Sequence, residues 1–103
     1  MNMMIINQTS QFRKWFKALK DMRAKAKIAI RLQRAENGNW GDCKSVGDGV
    51  FEMRFTEGKC YRVYYARQGD IVYLLLNGGD KSTQAEDIAS AKALWAEING
   101  GLR

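Results

Sequence analysis

The sequence predicts an α+β domain, with helices set against an antiparallel sheet in the order β-α-α-β-β-β-α. Three observations carry this. Apolar residues between Phe12 and Ala35 recur at spacings of three and four, the period of helices packed on one face. Between Val50 and Tyr65 the period drops to two, the period of strands. Beyond Gly78-Gly79-Asp80 the helical period returns. A chain of 103 residues that is 46% hydrophobic holds one modest core, so residues 1–103 are expected to form a single domain.

The elements follow in order. Residues 3–6 are a short apolar run and predict the first strand. Thr9 or Ser10 can cap a helix, because a hydroxyl accepts from the unpaired N–H groups of a first turn. Phe12, Trp15, Phe16 and Leu19 then mark the first helix. A second runs from Met22 to Glu36, with Met22, Ala26, Ala29, Ile30 and Ala35 as its apolar set and Ile28 and Leu32 flanking. Asn37-Gly38 ends it, and residues 37–49 read as a loop. Val50 to Phe55 alternates, Glu57-Gly58 turns, and Cys60 to Tyr65 alternates again. Gln68-Gly69-Asp70 makes a second turn into Ile71–Leu76, whose continuous apolarity suits an interior strand. Thr83 with Glu86 fits a capping box, and Ile88, Ala91, Leu94, Trp95 and Ile98 form the buried stripe of a last helix.

Composition narrows the chemistry. There is no histidine, which removes Ser-His-Asp and Cys-His catalysis and His-based metal sites. Acid–base work falls to Glu, Asp, Lys, Tyr or Arg. Cys43 and Cys60 lack a CxxC spacing and read as free thiols of a reducing cytoplasm. No apolar run spans a membrane and the N-terminus lacks the basic flank of a signal peptide, so a cytoplasmic protein is expected, with no metal and no cofactor. The net charge of +6 is concentrated: residues 1–36 hold nine Lys and Arg against Asp21 and Glu36. Lys20, Arg23, Lys27, Arg31 and Arg34 recur at helical spacing, which suits nucleic acid or an acidic partner. A solvated helix face with no partner fits the same spacing.

Strand alternation places Phe51, Met53, Phe55, Tyr61, Val63, Tyr65, Val72, Leu74 and Leu76 toward the helices. The other face then carries Glu52, Arg54, Arg62, Tyr64 and Tyr73 as an open patch. Arg54 and Arg62 on neighbouring strands suit a phosphodiester, since guanidinium groups bond phosphate oxygens in pairs. Tyr64 and Tyr73 can stack on unpaired bases. Glu52 can accept a proton, and Lys81 adds charge at the end of the sheet. A plain surface ion pair of Glu52 with Arg54, and ordinary sheet tyrosines, fit the same spacing. Gly78-Gly79 lacks a full P-loop pattern and reads as a structural turn.

Glu52-Met53-Arg54-Phe55, Gly58, Tyr61-Arg62-Val63-Tyr64-Tyr65 and Leu74-Leu75-Leu76-Asn77-Gly78-Gly79-Asp80-Lys81-Ser82, with Gln84 and Asp87-Ile88, resemble the addiction-module killer proteins. These are phage Gp49-like members, also described as HigB-like, of the RelE/ParE toxin superfamily. The resemblance runs from Ile5 to about Trp95 and implies the RelE-like fold: a sheet packed against an N-terminal helical hairpin and a C-terminal helix. It implies the toxin of a type II toxin–antitoxin system, acting as a metal-independent endoribonuclease that cleaves mRNA, often on the ribosome, through the ribose 2′-OH. ParE-type relatives inhibit DNA gyrase by binding, and a non-catalytic binding module is a third alternative. The implied partners are a cognate antitoxin, often of helix-turn-helix type, and mRNA, with operator DNA reached only through the antitoxin and no membrane.

By the resemblance, Arg62 matches the strand arginine that contacts phosphate. Arg54 falls where RelE has a catalytic lysine. Glu52 stands where RelE has another lysine, reversing the charge, and Lys81 falls near the family's C-terminal basic residues. The expected catalytic set is Arg62, Arg54, Glu52 and Lys81. The expected RNA-binding set is Lys27, Arg31, Arg34, Tyr64 and Tyr73. The tyrosine or histidine that many active members carry near the C-terminal end is replaced here by Asp80, Ser82, Gln84 and Asp87.

Overall fold

The computed structural model describes residues 5–69 and 72–100. The elements are β1 (Ile5–Gln8), α1 (Ser10–Ala18), α2 (Met22–Glu36), β2 (Cys43–Gly47), β3 (Val50–Arg54), β4 (Arg62–Gln68), β5 (Val72–Gly79), a 3-10 turn (Lys81–Thr83) and α3 (Gln84–Gly100). One sheet forms in the order β1-β5-β4-β3-β2. β1 lies parallel to β5, and the remaining pairs are antiparallel, so the expected α+β fold is built on a mixed sheet. Met3 and Met4 of the expected first strand, and Asp70 and Ile71 of the second turn and last strand, lie outside the described residues.

The helical hairpin is held by side-chain caps. Thr9 accepts from Phe12 N–H at 3.1 Å, and its hydroxyl donates to Leu76 O at 2.7 Å, so the start of α1 is tied to β5. Asp21 caps α2 by accepting from Ala24 N–H at 3.1 Å. The buried face of α2 is Ala24, Ile28 and Ala35, while Met22, Ala26, Ala29 and Ile30 are exposed. The expected apolar set was therefore rotated from the true one. Small alanines on two faces make the stripe ambiguous, and Ile28 decides it by filling the core.

Residues 43–47, expected as loop, form the edge strand β2. Cys43 pairs with Met53 and Lys44 with Glu52, then a bulge between Ser45 and Gly47 breaks the alternation. A polar, bulged edge strand carries no clean period of two. Gly47, Asp48 and Gly49 turn into β3, all with positive φ.

A second bulge matters more. Tyr64 pairs with Asn77 but Tyr65 pairs with Leu75, so Leu76 is skipped. An extra residue inverts the facing of everything before it. Tyr73 and Leu75 therefore face the hairpin, and Leu74 and Leu76 face the other way, opposite to the expected assignment.

Both faces of the sheet are covered. Phe12, Ala24, Ile28, Met53, Phe55, Val63 and Leu75 join the hairpin to one face. Val50, Tyr64, Ala66, Leu74 and Leu76 meet Ala91 of α3 on the other, with Ile88, Leu94, Trp95 and Ile98 packed around them. The expected stripe of the last helix is thus in place. Its expected capping box is not: Thr83 donates to Asp87 rather than pairing with Glu86, and Asp80 caps the 3-10 turn. Among the described residues, no helix is long and apolar enough to cross a membrane.

Candidate functional site

The face that β3 and β4 turn away from the hairpin lies under α3, so the open patch expected there is closed. Glu52 is fully buried. A buried carboxylate persists only if its charge is compensated. Its Oε2 accepts from Tyr64 Oη at 3.1 Å and from Gln84 Nε2 at 2.9 Å, and Arg62 Nε stands at 3.4 Å. Tyr64 is buried beside it, and burial, then the Glu52 charge, hold its phenol well above the ordinary tyrosine range. In this packing Glu52 faces no solvent as a proton acceptor, and Tyr64 offers no ring to a base.

Arg62 and Arg54 do come together, as directly paired residues on β4 and β3. Arg62 keeps 14% of its side chain exposed, with Nη1 donating to Cys60 O at 2.8 Å. Arg54 is more open, at 37%, and forms an ion pair with Asp42 at 3.0 Å. Two guanidinium groups directly opposite each other repel. Glu52 and Asp42 offset this, one buried and one exposed. Arg62 is thus held by a buried anion while Arg54 is held by one that solvent can screen.

Lys27, Arg31 and Arg34 reach the same end of the sheet from α2. With Arg54, Asp42, Ile30, Phe55, Thr56 and Glu57 they line a cleft of about 310 Å³. Lys27 and Arg34 are exposed. Arg31 is not simply a surface charge: its Nη1 donates to Arg54 O at 2.8 Å and its Nη2 to Trp40 O at 3.2 Å, with the guanidinium 4.5 Å from the Phe55 ring centre. It fastens α2 to β3 and to the segment before β2.

Tyr73 lies apart from these residues. The bulge turns it to the hairpin face, where Trp40 packs at 4.4 Å from both Tyr73 and Tyr65. Cys43 sits in the same nest, donating to Trp40 O at 3.2 Å, and burial pushes its thiol up. Lys81 is exposed, two residues beyond the Gly79 that pairs with Arg62, and its N–H donates to Lys59 O at 3.3 Å.

The sequence pattern alone missed Gln84, Asn77 and Asp42. Asn77 Nδ2 donates to Asp87 O at 3.2 Å, which with the Gln84 bond seats the first turn of α3 on the sheet. A polar run at a helix start is an ordinary sequence feature, and no periodicity separates a clasp from a solvated turn. Gly78 and Gly79 are strand residues rather than a turn. A Cβ on Gly78 would strike the Trp15 ring, and one on Gly79 the Asp87 carboxylate.

Residues 14–95 match the family model described as phage derived protein Gp49-like. A Haemophilus influenzae protein is 52% identical over 93 residues, covering 90% of this chain and 94% of that protein. Among solved structures, an arginine-substituted mutant of the E. coli toxin RelE in the free state superposes with a TM-score of 0.70. That match is 13% identical and covers 88% of this chain and 95% of the RelE chain, so it establishes a common fold.

Proposed function

This chain belongs to the phage-derived Gp49-like family and carries the RelE fold, and from that premise we propose that it is the toxin of a type II toxin–antitoxin pair, cutting mRNA in the cytoplasm. The observation that supports this best is the Arg54–Arg62 pair, with Arg62 braced from beneath by the buried Glu52. An arginine held at a defined site suits a phosphodiester whose negative charge grows during reaction. The ribose 2′-oxygen bonds to phosphorus as the bond to the 5′-oxygen breaks. The 2′-OH proton leaves to solvent, and the 5′-oxygen takes one up.

In this scheme Arg62 and Arg54 stabilise the phosphate, and Lys81 offers charge near the leaving oxygen. Glu52 is a positioning residue rather than the base. Lys27 and Arg34 hold the RNA backbone electrostatically, on the ribosome or off it. A cognate antitoxin, of helix-turn-helix type, neutralises the toxin and carries operator binding. The test is induced expression with mapping of mRNA 5′ ends in wild type and Arg62→Ala. New ends that vanish in the folded variant support the reading, and identical ends in both sink it.

The burial of Glu52 also favours a second reading, a ParE-like toxin that inhibits DNA gyrase by binding without cleaving. Growth arrest without new RNA ends, together with stalled supercoiling by purified gyrase, would select it.

A further inference from the structure

A cleft of about 640 Å³ lies between the α1–α2 turn and the C-terminal end of β5, and the scheme above leaves it unused. Trp15 and Tyr61 line one side, their ring centres 6.4 Å apart and their planes steeply inclined. Gly78 and Gly79 also line it, Gly78 directly under the Trp15 ring and Gly79 directly under the carboxylate of Asp87, on the first turn of α3. Exposed Lys20 and Lys59 also line it, along with Asp21 and Asp80.

Each carboxylate is tied to its own turn: Asp21 Oδ1 accepts from Ala24 N–H at 3.1 Å, and Asp80 Oδ1 from Ser82 N–H at 2.8 Å. Asp87 accepts from the Thr83 hydroxyl at 2.6 Å through Oδ2. Burial pushes its carboxyl up. An aromatic wall beside carboxylate acceptors fits a planar ring that carries N–H groups.

The cleft also adjoins the phosphate-binding pair. Gly79 is the cross-strand partner of Arg62, and Arg62 Nη1 bonds to the carbonyl of Cys60, between the cleft residues Lys59 and Tyr61. A strand with its phosphate at Arg62 therefore has a neighbouring base within reach of the cleft. We propose that this cleft is a base-recognition pocket for the nucleotide beside the bound phosphate. Asp87 would accept from the exocyclic amine of guanine, adenine or cytosine, where uracil carries only carbonyl oxygens that a carboxylate repels. This rests on the RNA-binding reading of the Arg54–Arg62 pair.

The experiment titrates the full wild-type chain with the four ribonucleoside 5′-monophosphates and follows the Trp15 indole N–H by NMR, assigned with Trp15→Phe. Amino-bearing bases should shift Trp15, with UMP about tenfold weaker, the scale of one good base contact. Asp87→Asn should erase that ratio, and in cells it should flatten the base preference beside the cut. No shift with any nucleotide, equal affinity for UMP, or a Trp15 response to antitoxin alone would overturn the proposal. The wild-type titration needs no variant to fold. Nucleotide binding at Trp15 without mRNA cleavage would remove the nuclease reading and leave the pocket. Cleavage with a silent Trp15 would do the reverse.

Discussion

Gln84 and Glu52, 32 residues apart, are joined by a 2.9 Å hydrogen bond that ties the first turn of α3 to the buried carboxylate holding Arg62. The helix start, the sheet interior and the proposed phosphate site are thus mechanically one unit. Gln84→Ala removes one donor from a buried charge and is expected to cost about 1.5–3 kcal/mol in denaturant unfolding. Glu52→Ala leaves Arg62 without its anion and should cost about 3–5 kcal/mol. Glu52→Gln also removes the anion but should cost less, because its amide oxygen still accepts from Tyr64. Equal losses for the two Glu52 variants would show that charge, not shape, is what matters there.

The tyrosines make stability sensitive to alkali. Tyr64 and Tyr65 are held above the ordinary phenol value of 10.0, in both cases first by burial. A raised folded pKa means that the folded state keeps its protons after the unfolded chain has lost them. Their contribution is therefore complete below about pH 10 and declines as pH rises from there toward the folded values. Unfolding free energy should fall above about pH 10, with tyrosinate absorbance from these two residues emerging only as the protein unfolds. Early titration of every tyrosine in the native state would contradict this.

Arg31 and its neighbours on α2 should separate in a mutational scan. Arg31→Ala loses bonds to the carbonyls of Arg54 and Trp40 and should destabilise the fold by about 2 kcal/mol. Lys27→Ala and Arg34→Ala should change stability by no more than about 0.5 kcal/mol. Each should weaken single-stranded RNA binding and lower its salt slope by about 0.7. An unchanged slope in both variants would place the RNA elsewhere.

Gly78→Ala tests the close approach of β5 to α1. Its Cβ meets the Trp15 ring, so the variant should lose about 1–3 kcal/mol by overpacking. A Gly78→Ala, Trp15→Phe double variant should recover part of that loss, because the smaller ring gives room. If the losses simply add, the ring is not the obstacle.

Much was legible beforehand. The helical hairpin, the β3–β4 alternation and the stripe of α3 appear in the structure because each rests on local periodicity. The Arg54–Arg62 juxtaposition was legible for the same reason, since a short turn between two alternating strands nearly sets their register. β2 was not, because a bulged polar edge strand has lost its period.

What the sequence by itself determined was the set of elements with strong periods and the identity of the cationic groups. The tertiary structure decided which of those groups meet solvent. A single skipped residue at Leu76 exchanged the faces of Tyr73 and Leu74, and α3 closed over Glu52 and Tyr64. Alternation says that two residues share a face but not what covers it. Burial depends on packing between segments distant in the chain, such as Gln84 on Glu52, and no local pattern encodes that contact.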